Sequence, residues 1–276
     1  MNKTIGIVGL GLIGASLALA LRDKVQGIYG IERDPKVLQI ALERGIIDEG
    51  STAPEGVLEK VDLILLALYP RDAIRWALEH QDLFHEGQLL LDVAGLKKEI
   101  VETLQEALPI EFVGTHPMAG REVSGLLAAR EELFLGTHFI ITPTRKNSQE
   151  AIDTIRELAT LLGVGAIHEM SPDTHDRLVA HTSHLPHLMA LALVGAYEEG
   201  SEVLIGRSYQ DATRVARINE TLWAELFLGN ADAVEEQIHK AQSQLERLAT
   251  LIRQGDQKAL EDELVRLRTL KERTNP

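Results

Sequence analysis

Three groups of residues in this chain have the types and spacing to do chemistry. Gly9-Leu10-Gly11-Leu12-Ile13-Gly14 is a G-x-G-x-x-G turn, and Glu32 follows about 20 residues later, the spacing of a dinucleotide fingerprint. Gly9 permits a tight turn out of a strand. Gly11 leaves the N–H groups of the next helix open to a pyrophosphate, and Gly14 lets that helix pack close to the sheet. A carboxylate at Glu32 accepts both adenosine-ribose hydroxyls and repels a 2′-phosphate. The expected cofactor is therefore NAD, with NADP less favoured; Arg33, directly after, pulls the other way. The second group is His116 in Gly114-Thr115-His116-Pro117-Met118-Ala119-Gly120. A histidine before proline is held out of helical geometry, and imidazole is the natural proton acceptor near neutral pH. Taken alone, such a histidine serves structure as readily as catalysis. The third group is Ser183-His184-Leu185-Pro186-His187, whose two histidines share a face if the helix is regular. No further ligand is spaced to complete a metal site, and no metal is expected.

The elements that must position these residues alternate in type over the first part of the chain. Strands are predicted at Lys3 to Val8, Gly27 to Ile31, Asp62 to Leu68, Gln88 to Asp92, Glu111 to Gly114 and His138 to Thr142. Helices are predicted at Ile13 to Leu21, Pro35 to Glu43, Lys97 to Leu108 and Gln149 to Leu162. Alternation of this kind predicts an α/β fold, with a doubly wound, mostly parallel sheet of Rossmann type. His116 then falls at the carboxyl edge of the sheet, where such folds bind ligands. Leu12, Ile13, Ala67 and Asp92 complete the candidate cofactor contacts along that edge. After about His168 the strand signals stop. Helices are predicted at Thr174 to Glu198, Gln210 to Leu228, Ala231 to Gln254 and Gln257 to Lys271, punctuated by glycine. Two domains are expected, a dinucleotide-binding one at 1–170 and an all-helical one at 171–276 that binds substrate and pairs with a second copy.

The 276 residues carry a formal net charge of −14 and no cysteine. The charge argues against a nucleic-acid surface, though a few arginines can still build an anion pocket in an acidic protein. Without cysteine there are no disulfides, thiolate metal sites or cysteine nucleophiles. No apolar run approaches the roughly 18 residues of a membrane span, and the N-terminus has no leader pattern, so a cytoplasmic protein is expected.

Gly-Leu-Gly-Leu-Ile-Gly at 9–14, Gly-Thr-His-Pro-Met-Ala-Gly at 114–120, His-Asp-Arg-Leu-Val-Ala at 175–180 followed by Ser-His-Leu-Pro-His at 183–187, and Asp211-Ala-Thr-Arg214 together resemble the prephenate/arogenate dehydrogenase family. The resemblance implies NAD-dependent oxidative decarboxylation of prephenate, or of its amino analogue arogenate, on the way to tyrosine. It implies that His116 accepts the hydrogen bond or proton of the ring hydroxyl and that Arg214 binds a substrate carboxylate. It also implies that His187 reaches the substrate side chain and that Glu122 helps gate the pocket. One departure stands out: the family's D-x-x-S-x-K stretch is Asp92-Val93-Ala94-Gly95-Leu96-Lys97 here, so Gly95 replaces a serine that would bond the substrate hydroxyl. Some relatives append a regulatory domain; none is expected, as the chain ends after its helices.

Other Rossmann-plus-helical dehydrogenases, the β-hydroxyacid and imine-reducing classes, would place a lysine on the helical domain near the nicotinamide, and the first long helix has none: no lysine occurs between Lys146 and Lys240. A non-enzymatic NAD-sensing protein would not need His116, His187 and Arg214 together.

Overall fold

Residues 1–274 are described by the computed structural model. The chain opens with β1 (Thr4–Val8), α1 (Leu12–Leu21), β2 (Gly27–Ile31), α2 (Pro35–Glu43), β3 (Glu49–Ser51), α3 (Glu55–Leu58), β4 (Leu63–Leu66), α4 (Pro70–Glu79) and β5 (Leu89–Asp92). It continues with α5 (Lys98–Ala107), β6 (Glu111–Pro117), β7 (His138–Thr142), α6 (Gln149–Leu161) and β8 (Ala166–Glu169). The eight strands form one sheet in the order β3-β2-β1-β4-β5-β6-β7-β8. Strands β1, β4 and β5 are buried on both faces, which is why they read as unbroken apolar runs. Neighbouring strands run parallel except β6 and β7, which are antiparallel. The chain winds outward from β1 to β3 and then returns to β4 on the other side of β1. The crevice between the carboxyl ends of β1 and β4 is the topological switch point.

The doubly wound α/β expectation holds, with local differences. The predicted list lacks α4, although Pro70 stands at its first turn, where the missing N–H costs nothing. It also lacks β3, whose Glu-Gly-Ser is too polar and short to register as a strand. Strand β6 runs on past Gly114 to Pro117 because Gly114 to Pro117 pair antiparallel with Thr142 to Phe139.

The helices that follow are α7 (Pro172–Val179), α8 (Leu185–Gly195), α9 (Arg207–Thr213), α10 (Glu220–Gly229), α11 (Ala231–Gln254) and α12 (Gln257–Thr274). The helix predicted from Thr174 to Glu198 is α7 and α8 joined by one π-helical turn, Ala180–His184; such turns are frequent at functional sites. The helix predicted from Gln210 to Leu228 is broken before Asn219, which caps α10 through its side chain. By length and composition Pro172–Gly195 is apolar enough to cross a membrane, contrary to the reading of the linear sequence. It nevertheless buries His175, Asp176 and His184 inside the protein.

Two compact units emerge, residues 1–230 and residues 231–276. Helices α7 to α10 lie in the first unit together with the sheet. The second unit is the pair α11 and α12. Between them Glu263 is buried, and the guanidiniums of Arg266 and Arg247 hold its carboxyl well below the usual range.

Candidate active site

At the switch point Gly9 adopts φ +88°, a conformation that favours glycine, and a Cβ there would lie 2.8 Å from the Ala67 carbonyl oxygen. A Cβ on Gly14 would collide with the Gly9 carbonyl, while nothing lies within 4 Å of the corresponding position on Gly11. Helix α1 starts at Gly11 with no side-chain cap and no acid in its first turn. Its N–H groups therefore face an open cradle, which fits a pyrophosphate. Glu32 sits past the end of β2, where its Oε2 accepts the Leu10 N–H at 2.8 Å and its Oε1 the Asp34 N–H at 3.0 Å. The carboxylate is pinned beside the cradle by these two backbone donors. Arg33 is exposed, and the neighbouring Asp34, capping α2 through Lys36 N–H at 2.9 Å, adds a second carboxylate.

His116 lies next to the buried Thr115 on β6. Its Nδ1 is 2.9 Å from Nε2 of His175, and Nδ1 of His175 is 2.7 Å from Oδ1 of Asp176. Asp176 also accepts the backbone N–H groups of Lys97 (2.8 Å) and Lys98 (2.9 Å), and its carboxyl is held below the usual range. Burial alone would raise it; the bonds from His175 and these backbone donors outweigh that. An ionised Asp176 can only accept, so His175 carries its proton on Nδ1 and offers a lone pair on Nε2. His116 must then donate from Nδ1, which leaves its Nε2 unprotonated. Burial, the neighbouring His175 and the Lys97 charge keep His116 neutral by pushing its pKa well below 6.5. This is the protonation state of a general base.

Beneath this chain lies a fully buried ion pair. Lys97 Nζ bonds Asp92 and donates to the Thr115 carbonyl at 2.7 Å. Asp92 further accepts Ala94 N–H at 2.9 Å and Thr115 N–H at 3.2 Å, while the Thr115 hydroxyl donates to the Asp92 carbonyl. Burial drives the carboxyl up and the ammonium down, and each partner opposes the shift in the other. The side chain of Lys97 holds the residue before His116, and its backbone holds Asp176. Asp92, a candidate cofactor contact, is fully buried in this pair and does not present its carboxylate at the surface of the crevice.

On the helical side, Nδ1–H of His187 donates to the Ser183 carbonyl at 2.8 Å, and its ring stacks on Trp223 with centroids 3.7 Å apart. His184 is buried edge-on against Trp223 and Phe227, and burial pushes its pKa down to about 4. His184 and His187 thus share an aromatic wall. Among the described residues no group of three or more His, Asp or Glu is placed to hold a metal ion. Arg214 forms an ion pair with Glu122, both side chains exposed, and both charges act on His187. Gly95 packs under α10: a Cβ there would lie 3.2 Å from Leu226 Cδ2.

The structure therefore joins His187 electrostatically to the Arg214–Glu122 pair and adds four residues that carried no assigned role in the sequence: His175, Asp176, Lys97 and Trp223. The first two were visible as a His-Asp pair shortly before Ser-His-Leu-Pro-His. Trp223 had no signal beyond being one of two tryptophans.

Comparison with known proteins gives a consistent set of relatives. The family model described as prephenate dehydrogenase, nucleotide-binding domain, matches residues 17–168. The model described as prephenate dehydrogenase, dimerization domain, matches residues 171–267. A prephenate dehydrogenase of Bacillus subtilis (strain 168) is 33% identical, the alignment covering 93% of this chain and 72% of the relative. A cyclohexadienyl dehydrogenase of Zymomonas mobilis is 33% identical over 92% of this chain and 90% of its own length. Among solved structures, prephenate dehydrogenase from A. aeolicus in complex with hydroxyphenyl propionate and NAD+ superposes with a TM-score of 0.92 at 29% identity, covering 100% of this chain and 99% of that one.

Proposed function

Because this chain belongs to the prephenate dehydrogenase family, we propose that it catalyses the NAD-dependent oxidative decarboxylation of prephenate to 4-hydroxyphenylpyruvate and carbon dioxide. The observation that carries the chemistry is the His116–His175–Asp176 chain, which leaves an unprotonated Nε2 on His116. NAD, when bound, supplies the hydride acceptor. Gly9, Gly11, Leu12, Ile13 and Gly14 would hold its pyrophosphate, Glu32 its adenosine ribose, and Ala67 would line the crevice. Arg33 is exposed next to Glu32 and Asp34, so the local balance of charge opposes a 2′-phosphate.

His116 accepts the proton of the ring hydroxyl as hydride leaves the same carbon. The ring carboxylate departs as carbon dioxide, its bonding electrons complete the aromatic ring, and His116 returns the proton to the phenol oxygen. The positive charge held for an instant on His116 is stabilised through His175 by the Asp176 carboxylate. Arg214 takes a substrate carboxylate, exchanging it for Glu122, and His187 on its Trp223 platform meets the side chain. We assign substrate binding and pairing of two copies to 171–276, in line with the exposed apolar Met189, Leu193 and Val194 on α8. A cytoplasmic location goes with this reading, since the substrate and cofactor are metabolites of that compartment.

A second reading, turnover of arogenate as well, is favoured by Glu122: its exposed carboxylate beside Arg214 could pair with an ammonium group. The test is kcat/KM for prephenate and arogenate, each with NAD and NADP. Prephenate with NAD is expected to turn over, with NAD preferred to NADP at least tenfold. No turnover of either cyclohexadiene overturns the proposal.

Arg214→Ala is expected to raise KM for prephenate about 10- to 100-fold, the roughly 1.5–3 kcal/mol of a charge-assisted contact, with kcat within a few-fold of wild type. The guanidinium is exposed, so the larger loss expected for a buried unpaired carboxylate does not apply. An unchanged KM would mean that another cation holds the carboxylate.

A further inference from the structure

Helix α10 is the element that touches both halves of the candidate site. Its capping residue Asn219 accepts Leu222 N–H at 3.0 Å through Oδ1 and donates from Nδ2 to the Tyr69 hydroxyl at 2.7 Å. Tyr69 stands on the loop between β4 and α4, close after Ala67, whose carbonyl abuts Gly9 at the switch point. Further along α10, Glu225 Oε1 accepts Arg71 N–H at 2.6 Å in the first turn of α4. Leu226 is buried over Gly95, and Gly229 closes on Leu96. On another face of the helix, Trp223 carries His187 and Phe227 meets His184. Asn230, just past the helix end, donates to the Asp176 carbonyl at 2.8 Å. The helix thus links the β4–α4 loop, through Asn219, to Trp223 one turn further along, whose N–H bonds the Asn219 carbonyl at 2.9 Å.

We infer that Tyr69 is a positioning residue that couples the dinucleotide crevice to the substrate contacts of His187, acting through Asn219 and helix α10. This rests on the dehydrogenase reading above. A dinucleotide lying between β1 and β4 pins the loop that carries Tyr69. The pinned hydroxyl fixes Asn219, hence the start of α10 and the indole on which His187 rests. By thermodynamic linkage, an aromatic acid held at His187 must favour the dinucleotide by the same factor. One neutral hydrogen bond sets the scale of that factor at about fivefold.

The test is calorimetric titration of NAD into the full chain with and without saturating hydroxyphenyl propionate, compared among wild type and three variants. In wild type, NAD is expected to bind about fivefold tighter when the acid is present. Tyr69→Phe, which removes only the hydroxyl, is expected to bring that ratio close to one, with NAD affinity alone within twofold of wild type. Asn219→Ser keeps the helix cap but cannot reach Tyr69, and is expected to lose the coupling too. Asn219→Asp, able to cap α10 and to accept the Tyr69 hydroxyl proton, is expected to retain it. A simple packing defect would not separate Ser from Asp in this way. A ratio near one in wild type, or a wild-type ratio in Tyr69→Phe, overturns the coupling. Prephenate turnover by the same wild-type preparation reports separately on the reaction, so either reading can fail without the other.

Discussion

His116→Asn is expected to lower kcat for prephenate about 10³-fold, within the range for loss of a general base, while substrate affinity stays within a few-fold of wild type. Asparagine can still donate to Nε2 of His175, so the local structure is kept and only the proton acceptor is lost. The same geometry fixes the pH response. Burial, His175 and Lys97 push the His116 pKa well below 6.5. A base with a depressed pKa stays unprotonated as the pH falls through 6.5, so kcat/KM is expected to be flat through neutrality, with its acid limb below pH 6.5. Pre-steady-state and steady-state rates of NADH formation across pH check both points. Wild-type kcat in the asparagine variant, or an acid limb at or above 6.5, would remove His116 from the role of base in its neutral, relay-held form.

Lys97→Met is expected to destabilise the protein by about 3–5 kcal/mol, because it strips the partner from a carboxylate with no access to water. Asp92 and Lys97 are both 0% exposed, and Lys97 also ties down the Thr115 carbonyl next to His116. Methionine fills nearly the same volume, so cavity formation is a minor part of the loss. Urea unfolding with a check for unchanged m-value measures it. The companion Asp92→Leu, Lys97→Met is expected to recover only part of the loss: no charge is left unpaired, but the Ala94 and Thr115 N–H groups and the Thr115 carbonyl lose their partners. Stability of Lys97→Met within 1 kcal/mol of wild type would show that Asp92 is neutral in the folded protein.

Much of the dinucleotide half was legible in the sequence because its demands are local and steric. A tight turn, an open helix start and a close helix–strand approach each call for glycine at one position, and Gly9, Gly11 and Gly14 answer them. The reversal of β7 was not legible, since Phe139-Ile140-Ile141 is as apolar in one direction as in the other. Residues 174–198 carry a continuous helical pattern, and only packing reveals the π-helical turn that sets Ser183 against His187. Helix α4 hid behind a long apolar strand signal ending at Leu68. His175 and Asp176 acquire their significance when α7 is laid against β6, a contact between positions 59 residues apart in the chain. Asp92, a polar residue ending a strand, reads as a ligand contact; in the structure its carboxylate is taken up by Lys97, a pairing that the sequence does not show. The space above Gly95 is filled by Leu226 of α10, a residue no local pattern connects to it.

We propose that this chain oxidises and decarboxylates prephenate in one coupled event with His116 as base. The most direct measurement follows NADH and 4-hydroxyphenylpyruvate together in wild-type protein supplied with prephenate and NAD. One NADH is predicted for each molecule of aromatic product, at a rate that collapses in His116→Asn. NADH formed without the aromatic product, or no NADH from prephenate at all, would contradict it.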